Sequence, residues 1–100
     1  GAGAVTANLR LDEKNVKVGG IDTGSNKFGI ITGENVRIGV NASIMPGVKI
    51  GNNTFVGSGI CIASDIEDQK FVYGKWTLET RENRAVLSPS ARQQMMKRLI

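Results

Sequence analysis

From Ile38 to Ile62 an aliphatic residue returns at every sixth position: Ile38, Ile44, Ile50, Val56 and Ile62. An amphipathic helix repeats its apolar stripe at three and four residues and a half-buried strand at two, so a period of six belongs to neither alone. It fits a coil of very short strands joined by corners. Four places after each aliphatic position stand Ala42, Val48, Thr54, Ile60 and Ile66, all small or β-branched, which makes two inward positions per hexad. Gly39, Gly51 and Gly57 directly follow Ile38, Ile50 and Val56. The most informative column is Asn41, Gly47, Asn53, Gly59 and Asp65. Gly, Asn and Asp tolerate positive φ, so a fixed phase of these three types predicts a left-handed backbone turn in every hexad. The register extends back through Thr32, Gly33, Asn35 and Val36, and more faintly through Gly29 and Ile30.

The same register shows where the coil is interrupted. Gly1-Ala2-Gly3-Ala4-Val5-Thr6 overlays on Gly57-Ser58-Gly59-Ile60-Cys61-Ile62, so the chain opens inside a hexad. This predicts the C-terminal portion of a longer protein. Thr6 and Asn26 share a column but stand 20 residues apart, three hexads plus two, so a segment of about residues 9–25 must leave the coil. That segment, LRLDEKNVKVGGIDTGS, is polar and carries Gly19-Gly20, which predicts a short hairpin. The hexads stop after Asp65, and Lys70 to Thr80 reads as an extended strand along the last coil. Ser88-Pro89 then supplies a capping residue and a proline at the first helical position. In the helix that follows, Ala91, Met95, Met96, Leu99 and Ile100 fall on one side, with Arg92, Lys97 and Arg98 elsewhere. A terminal coil leaves strand edges and an open apolar core, so the helix is expected to cap it; an arm swapped onto a neighbouring subunit is the alternative. The expected division is residues 1–67 as coil with its inserted loop and 68–100 as strand plus helical cap.

Composition narrows the function. Among 100 residues there are 13 glycines and 5% aromatics, as suits a core too thin for large side chains. The net charge is +4, but the Lys and Arg residues are scattered, so small phosphorylated ligands account for it and nucleic acid is not expected. No apolar run approaches a membrane span and no signal peptide is visible, which places the protein in the cytoplasm, away from membranes. Cys61 is the single cysteine and is read as structural. There is no histidine, so a histidine-held zinc is not expected, and an imidazole base must come from elsewhere.

Hexads with these columns resemble the left-handed parallel β-helix, in which three hexads make one triangular coil and coils stack about 4.8 Å apart. The handedness is implied by the resemblance. The expected fold is mainly β: a left-handed parallel β-helix of hexapeptide repeats with an extruded loop and a C-terminal α-helix.

The run GAGAVTAN, the polar excursion with Lys14 and Lys17, and then ITGENVRIGVNASIMPGVKIG resemble the acetyltransferase half of bifunctional sugar-1-phosphate nucleotidylyltransferases, up to about Lys75. Bacterial members read GAGTITANYDG; here Asn8-Leu9-Arg10-Leu11-Asp12 replaces Asn-Tyr-Asp-Gly, which is more similar to the archaeal branch. The resemblance implies that Asn8 hydrogen-bonds the amino sugar beside a catalytic His lying upstream. An amide can orient an amine without competing for its proton. Lys14 matches a contact to the sugar phosphate, and Lys17 adds a second point charge. Read from the residues alone, lysines in a polar insertion are equally a solvated face. Ala2 matches the position whose backbone N–H faces the thioester oxygen as it becomes an oxyanion. Val40 and Ser58 match positions lining the pantetheine groove between subunits, and Lys75 a basic residue that meets coenzyme A phosphates.

The resemblance thus implies an enzyme: a homotrimeric transferase that moves acetyl from acetyl-CoA to an amino-sugar-1-phosphate of the glucosamine-1-phosphate kind, in UDP-N-acetylglucosamine biosynthesis. Any Mg2+ would belong to the nucleotidylyltransferase domain. This segment alone should be inactive for want of its base. The alternative is a trimerisation scaffold, its acyl site decayed, on a mannose- or glucose-1-phosphate nucleotidylyltransferase.

Overall fold

A computed structural model describes residues 1–85 and 89–99. Ten two-residue strands precede one helix: β1 (Val5–Thr6), β2 (Lys17–Val18), β3 (Ile21–Asp22), β4 (Ile31–Thr32), β5 (Arg37–Ile38), β6 (Ser43–Ile44), β7 (Lys49–Ile50), β8 (Phe55–Val56), β9 (Cys61–Ile62), β10 (Phe71–Val72) and α1 (Pro89–Leu99). Strands of two residues follow from the hexad, because a corner interrupts the chain before a third residue can pair.

Three parallel sheets form the faces of a β-helix. One runs β1-β6-β9, the second β5-β8-β10, and the third pairs β4 with β7. Their register shows the length of each turn. Ile44 pairs with Ile62, Thr32 with Ile50, and Ile38 with Val56, always 18 residues on, so three hexads close one coil. Thr6 pairs with Ile44, 38 residues away, so this coil carries the 20-residue excursion that the phase shift predicts. In both columns the inward side chains are the expected ones: Ala42, Ile44, Val48, Ile50, Thr54, Val56 and Ile62 are buried. Thr54 is tolerated there because its hydroxyl donates to the carbonyls of Asn52 and Glu67, at 3.2 and 3.0 Å.

The corners use Asn and Gly for different reasons. Asn35, Asn41, Gly47, Asn53 and Gly59, six residues apart, all have positive φ, between 52° and 81°. Gly39 does not; it is glycine because a Cβ would stand 2.6 Å from the Ser58 backbone nitrogen in the coil below.

The last coil differs from expectation. Ile66 bridges Ile50 and Val72 pairs with Val56, both 16 residues on, so two residues are missing from the corner after Ile62. Ile66 therefore continues the aliphatic column and not the second inward one. Asp65 is absent from the positive-φ positions, and Gln69, at φ 57°, takes the place below Asn53. The Asp65 carboxylate instead accepts the Lys49 N–H at 2.9 Å, and Asp68 accepts that of Asn52 at 2.7 Å. Parallel pairing runs on to Val72, and the strand expected over Lys70 to Thr80 is confined to Phe71–Val72. The two-residue slip also places Phe71 beside Phe55 on an outer face, where the Arg37 guanidinium lies 5.3 Å from the Phe55 ring centre.

Helix α1 follows Pro89, with Lys97 and Arg98 in its last turn, where cations suit the helix dipole. Met95 and Met96 are 46% and 60% exposed. Ser88 and Ile100, read as cap and apolar terminus, lie outside the described residues. Among the described residues no helix is long and apolar enough to cross a membrane.

Candidate functional site

The residues singled out in the sequence gather at two ends of one face. At one corner Ala2, Val40 and Ser58 lie in successive coils. The Asn41 N–H donates to the Ala2 carbonyl at 3.0 Å, and the Gly59 N–H to the Val40 carbonyl at 2.9 Å. All three are exposed, and among the described residues the Ala2 N–H donates to no backbone carbonyl. After β10 the chain crosses the same corner one coil further on. Tyr73 stands against Gly57 and Gly74 against Ile60, which brings Lys75 to this end of the molecule.

Asn8 is at the other end of β1, six residues from Ala2 and therefore at most about 20 Å away. Here the excursion leaves the coil. Its base is closed by the Phe28 N–H, which donates to the Asn8 carbonyl at 2.8 Å, and by an antiparallel bridge between Leu9 and Lys27.

Within the excursion two devices hold the chain. The first is a tight turn at Arg10 to Glu13, in which the Glu13 N–H donates to the Arg10 carbonyl at 3.0 Å and Glu13 takes φ 57°. The Arg10 guanidinium reaches Asp12 Oδ2 at 2.6 Å and the Asn15 carbonyl at 3.4 Å, while Asp12 Oδ1 accepts the Lys14 N–H at 3.1 Å. That backbone N–H, and after it the Arg10 guanidinium, hold the Asp12 carboxyl below its ordinary value of 3.8 against a smaller opposing effect of desolvation. The second device is the hairpin β2–β3, with Gly19 and Gly20 at φ 57° and 81°, as a two-residue turn of the primed type requires.

The hairpin is seated by Val16, which is fully buried although it lies in a polar segment. Its N–H donates to the Ser25 carbonyl, and its own carbonyl accepts both the N–H and the hydroxyl of Thr23. Val16 packs over Gly47, where the Lys17 carbonyl also approaches too closely to admit a Cβ.

Between the excursion and the coil lies a groove of about 710 Å3. Ala7, Leu9, Leu11, Met45 and Pro46 form its apolar wall, and Arg10, Asp12 and Lys17 its polar rim. The structure thus places Lys17 on the groove beside Asn8, and Lys14 on the adjoining turn. It does not bring Asn8 and Ala2 together within one chain. The sequence reading did not find Val16, Met45, Pro46 or the Arg10–Asp12 pair. An Asp two residues before Lys14, with an Arg two before that, was the available signal for the turn. Among the described residues no group of three or more His, Cys, Asp or Glu is placed to hold a metal ion.

Residues 29–59 match the family described as bacterial transferase hexapeptide (six repeats). The chain is 47% identical over 78 residues to a protein named bifunctional protein GlmU from Methanococcus maripaludis, covering 75% of this chain and 19% of that protein. It is 45% identical over 77 residues to the protein of the same name from Methanocaldococcus jannaschii, covering 73% and 19%. A bifunctional sugar-1-phosphate nucleotidylyltransferase/acetyltransferase from Sulfurisphaera tokodaii is 44% identical over 70 residues, covering 66% and 18%. The chain spans about a fifth of the length of these archaeal relatives.

Proposed function

The chain carries a hexapeptide-repeat transferase domain of the kind found in bifunctional GlmU-like enzymes, and from that premise we propose that it is the acetyltransferase module of a sugar-1-phosphate nucleotidylyltransferase. The acceptor is an amino-sugar-1-phosphate of the glucosamine-1-phosphate kind and the donor is acetyl-CoA. The observation that carries this reading is the groove beside Asn8. Its apolar wall suits a sugar ring, and Lys17 on its rim with Lys14 on the adjoining turn suits a phosphate.

In the reaction the amine nitrogen bonds to the acetyl carbon, the carbon–sulfur bond breaks, and the amine gives up a proton as the coenzyme A thiol leaves. Asn8 orients the amine through its side-chain amide. The exposed Ala2 N–H stabilises the oxygen of the tetrahedral intermediate. The corner of Ala2, Val40 and Ser58 offers only small side chains, which fits the thin pantetheine arm, and Lys75 supplies charge for the coenzyme A phosphates. With no histidine in the 100 residues, the base is an imidazole from a preceding coil. Since Ala2 and Asn8 lie at opposite ends of one face, the site is completed across subunits, and the working form is a homotrimer in the cytoplasm.

The second reading is a scaffold without acyl transfer, favoured by the absence of histidine. Thiol release from acetyl-CoA with glucosamine-1-phosphate, measured in the full-length protein, separates the two. Asn8→Ala should lower kcat, and Lys14→Ala should raise the KM for the sugar phosphate, each by about tenfold to a hundredfold, as for loss of one charged hydrogen bond. The 100-residue chain alone should give no turnover. Unchanged kinetics in both variants with the trimer intact would leave the scaffold.

A further inference from the structure

We infer that Arg10 is a positioning residue: with Asp12 it latches the turn that carries Lys14 and so sets where the Lys14 ammonium stands for an anionic substrate. This rests on the reading of Lys14 as a phosphate contact.

The geometry comes from three bonds that close on one short segment. Arg10 spans the turn, its guanidinium bonded to the Asp12 carboxylate on one side and to the Asn15 carbonyl on the other, at 2.6 and 3.4 Å. The second oxygen of Asp12 takes the Lys14 N–H at 3.1 Å. Lys14 is therefore held from both sides, by Asp12 before it and by Asn15 after it, and both of these are held by the same guanidinium. Glu13 sits between them at φ 57°, a backbone conformation that a residue with a Cβ keeps only where its surroundings enforce it.

Charge points the same way. The Arg10–Asp12 pair is the one salt bridge among the described residues. Lys14 and Lys17 are left as the cations of the excursion without a carboxylate partner. Arg10 is spent on the fold of the turn, while the two lysines face outward for a ligand. A planar guanidinium is suited to this task because it can address two acceptors at once, which an ammonium on a flexible stem does poorly.

A pair of surface charges taken alone contributes little, and these two side chains are 37% and 41% exposed. The latch should therefore matter for position more than for global stability. A lysine that wanders over several rotamers and backbone states binds a phosphate more weakly, because its ordering must be supplied on binding.

The test is a cycle in the full-length protein with glucosamine-1-phosphate as substrate. Arg10→Ala should raise the KM for the sugar phosphate by about three- to tenfold, leaving kcat and the KM for acetyl-CoA unchanged. Lys14→Ala should raise it further, and the double variant should be no worse than Lys14→Ala, since Arg10 acts through Lys14. Arg10→Lys keeps the contact to Asp12 but not the one to Asn15, and should fall between wild type and Arg10→Ala. Additive effects of Arg10→Ala and Lys14→Ala would mean that Arg10 touches substrate itself, and would overturn the positioning role.

Hydrogen exchange gives a reading independent of turnover. In Arg10→Ala the Glu13 and Lys14 amides should exchange about tenfold faster while the Val5 amide, bonded within the coil, stays protected. Unchanged exchange at Glu13 and Lys14 would overturn the latch whatever the kinetics. Faster exchange with kinetics unaffected by Arg10→Ala but impaired by Lys14→Ala would overturn the link to binding and leave Lys14 as a phosphate contact. Lys14→Ala kinetics equal to wild type would instead remove Lys14 from the site, and with it the function proposed for the latch.

Discussion

The coils from Gly29 to Ile62 and the excursion from Leu9 to Ser25 are built from the same few residue types, yet they are stabilised in opposite ways. In the coils each side chain does what its counterpart does six residues on: Ile44, Ile50, Val56 and Ile62 stack in one column and repeat one contact. In the excursion every contact is made once. One valine seats the hairpin, one arginine closes the turn, and one glycine in the coil makes room for both Val16 and the Lys17 backbone. A periodic region spreads its stability over neighbours that resemble one another, whereas the excursion depends on single residues. The region most suited to hold a substrate is the one with the least redundancy.

The comparison breaks most severely at the centre of a column. Ile44 is 1% exposed and stacks between Thr6 and Ile62, so Ile44→Ala should cost about 2–5 kcal/mol and lower the unfolding midpoint of the whole β-helix. Leu11, an equally apolar residue of the excursion, is fully exposed, and Leu11→Ala should stay within about 0.5 kcal/mol. Denaturant unfolding of the two variants in parallel checks the pair. A cost below about 1 kcal/mol for Ile44→Ala would mean that the column is not the core.

A smaller effect is expected where the two regions meet. Gly47 has φ 81° and lies under Val16 and the Lys17 carbonyl, so Gly47→Ala forces strain and displaces the hairpin together, at about 1–3 kcal/mol. Its signature should be local. The Val16 and Thr23 amides, which bond across the hairpin, should lose exchange protection, while Val5 and Ser43, bonded between coils, keep theirs. Equal loss in both sets would show that the hairpin is part of the same cooperative unit as the coils.

These differences explain what could be read from the chain beforehand. The inward columns and the positive-φ corners from Asn35 to Gly59 were legible because a constraint that recurs every six residues leaves a mark at every recurrence. The length of the excursion was legible for the same reason, as a break in phase between Thr6 and Asn26. What failed was the last coil, where a single two-residue deletion moved Ile66 and Gln69 into columns that counting by six gives to other residues. The same slip hid the pairing of Phe55 with Phe71, which are aligned only once the coil shortens from 18 residues to 16. At the candidate site, Asn8, Lys14 and Lys17 came from the resemblance of the run around GAGAVTAN. Val16 and the Arg10–Asp12 pair carry no repeat and no motif, because their roles arise from where the hairpin lands on Gly47 and how the turn closes.

The smallest effect sharpens the comparison from within the excursion. Asp12 is held below 3.8 chiefly by the Lys14 N–H and then by Arg10, so the folded turn favours the charged carboxylate. The sign follows from linkage. A depressed carboxyl contributes stability that is fully present above its unfolded value, near 3.8, and is lost as pH falls through the lower folded value. At neutral pH the turn should therefore be closed, and acid should open it without first melting the coils. In an NMR titration the Asp12 carboxyl carbon and the Lys14 amide should move together with a midpoint below 3.8, while the amides of the coil stay in place. In Arg10→Ala the midpoint should rise toward 3.8 but not reach it, because the larger cause, the Lys14 N–H, remains in the backbone. A wild-type midpoint at or above 3.8 would mean that the Asp12 carboxylate is not what holds the turn, and that the excursion owes its shape to the Val16 seat alone.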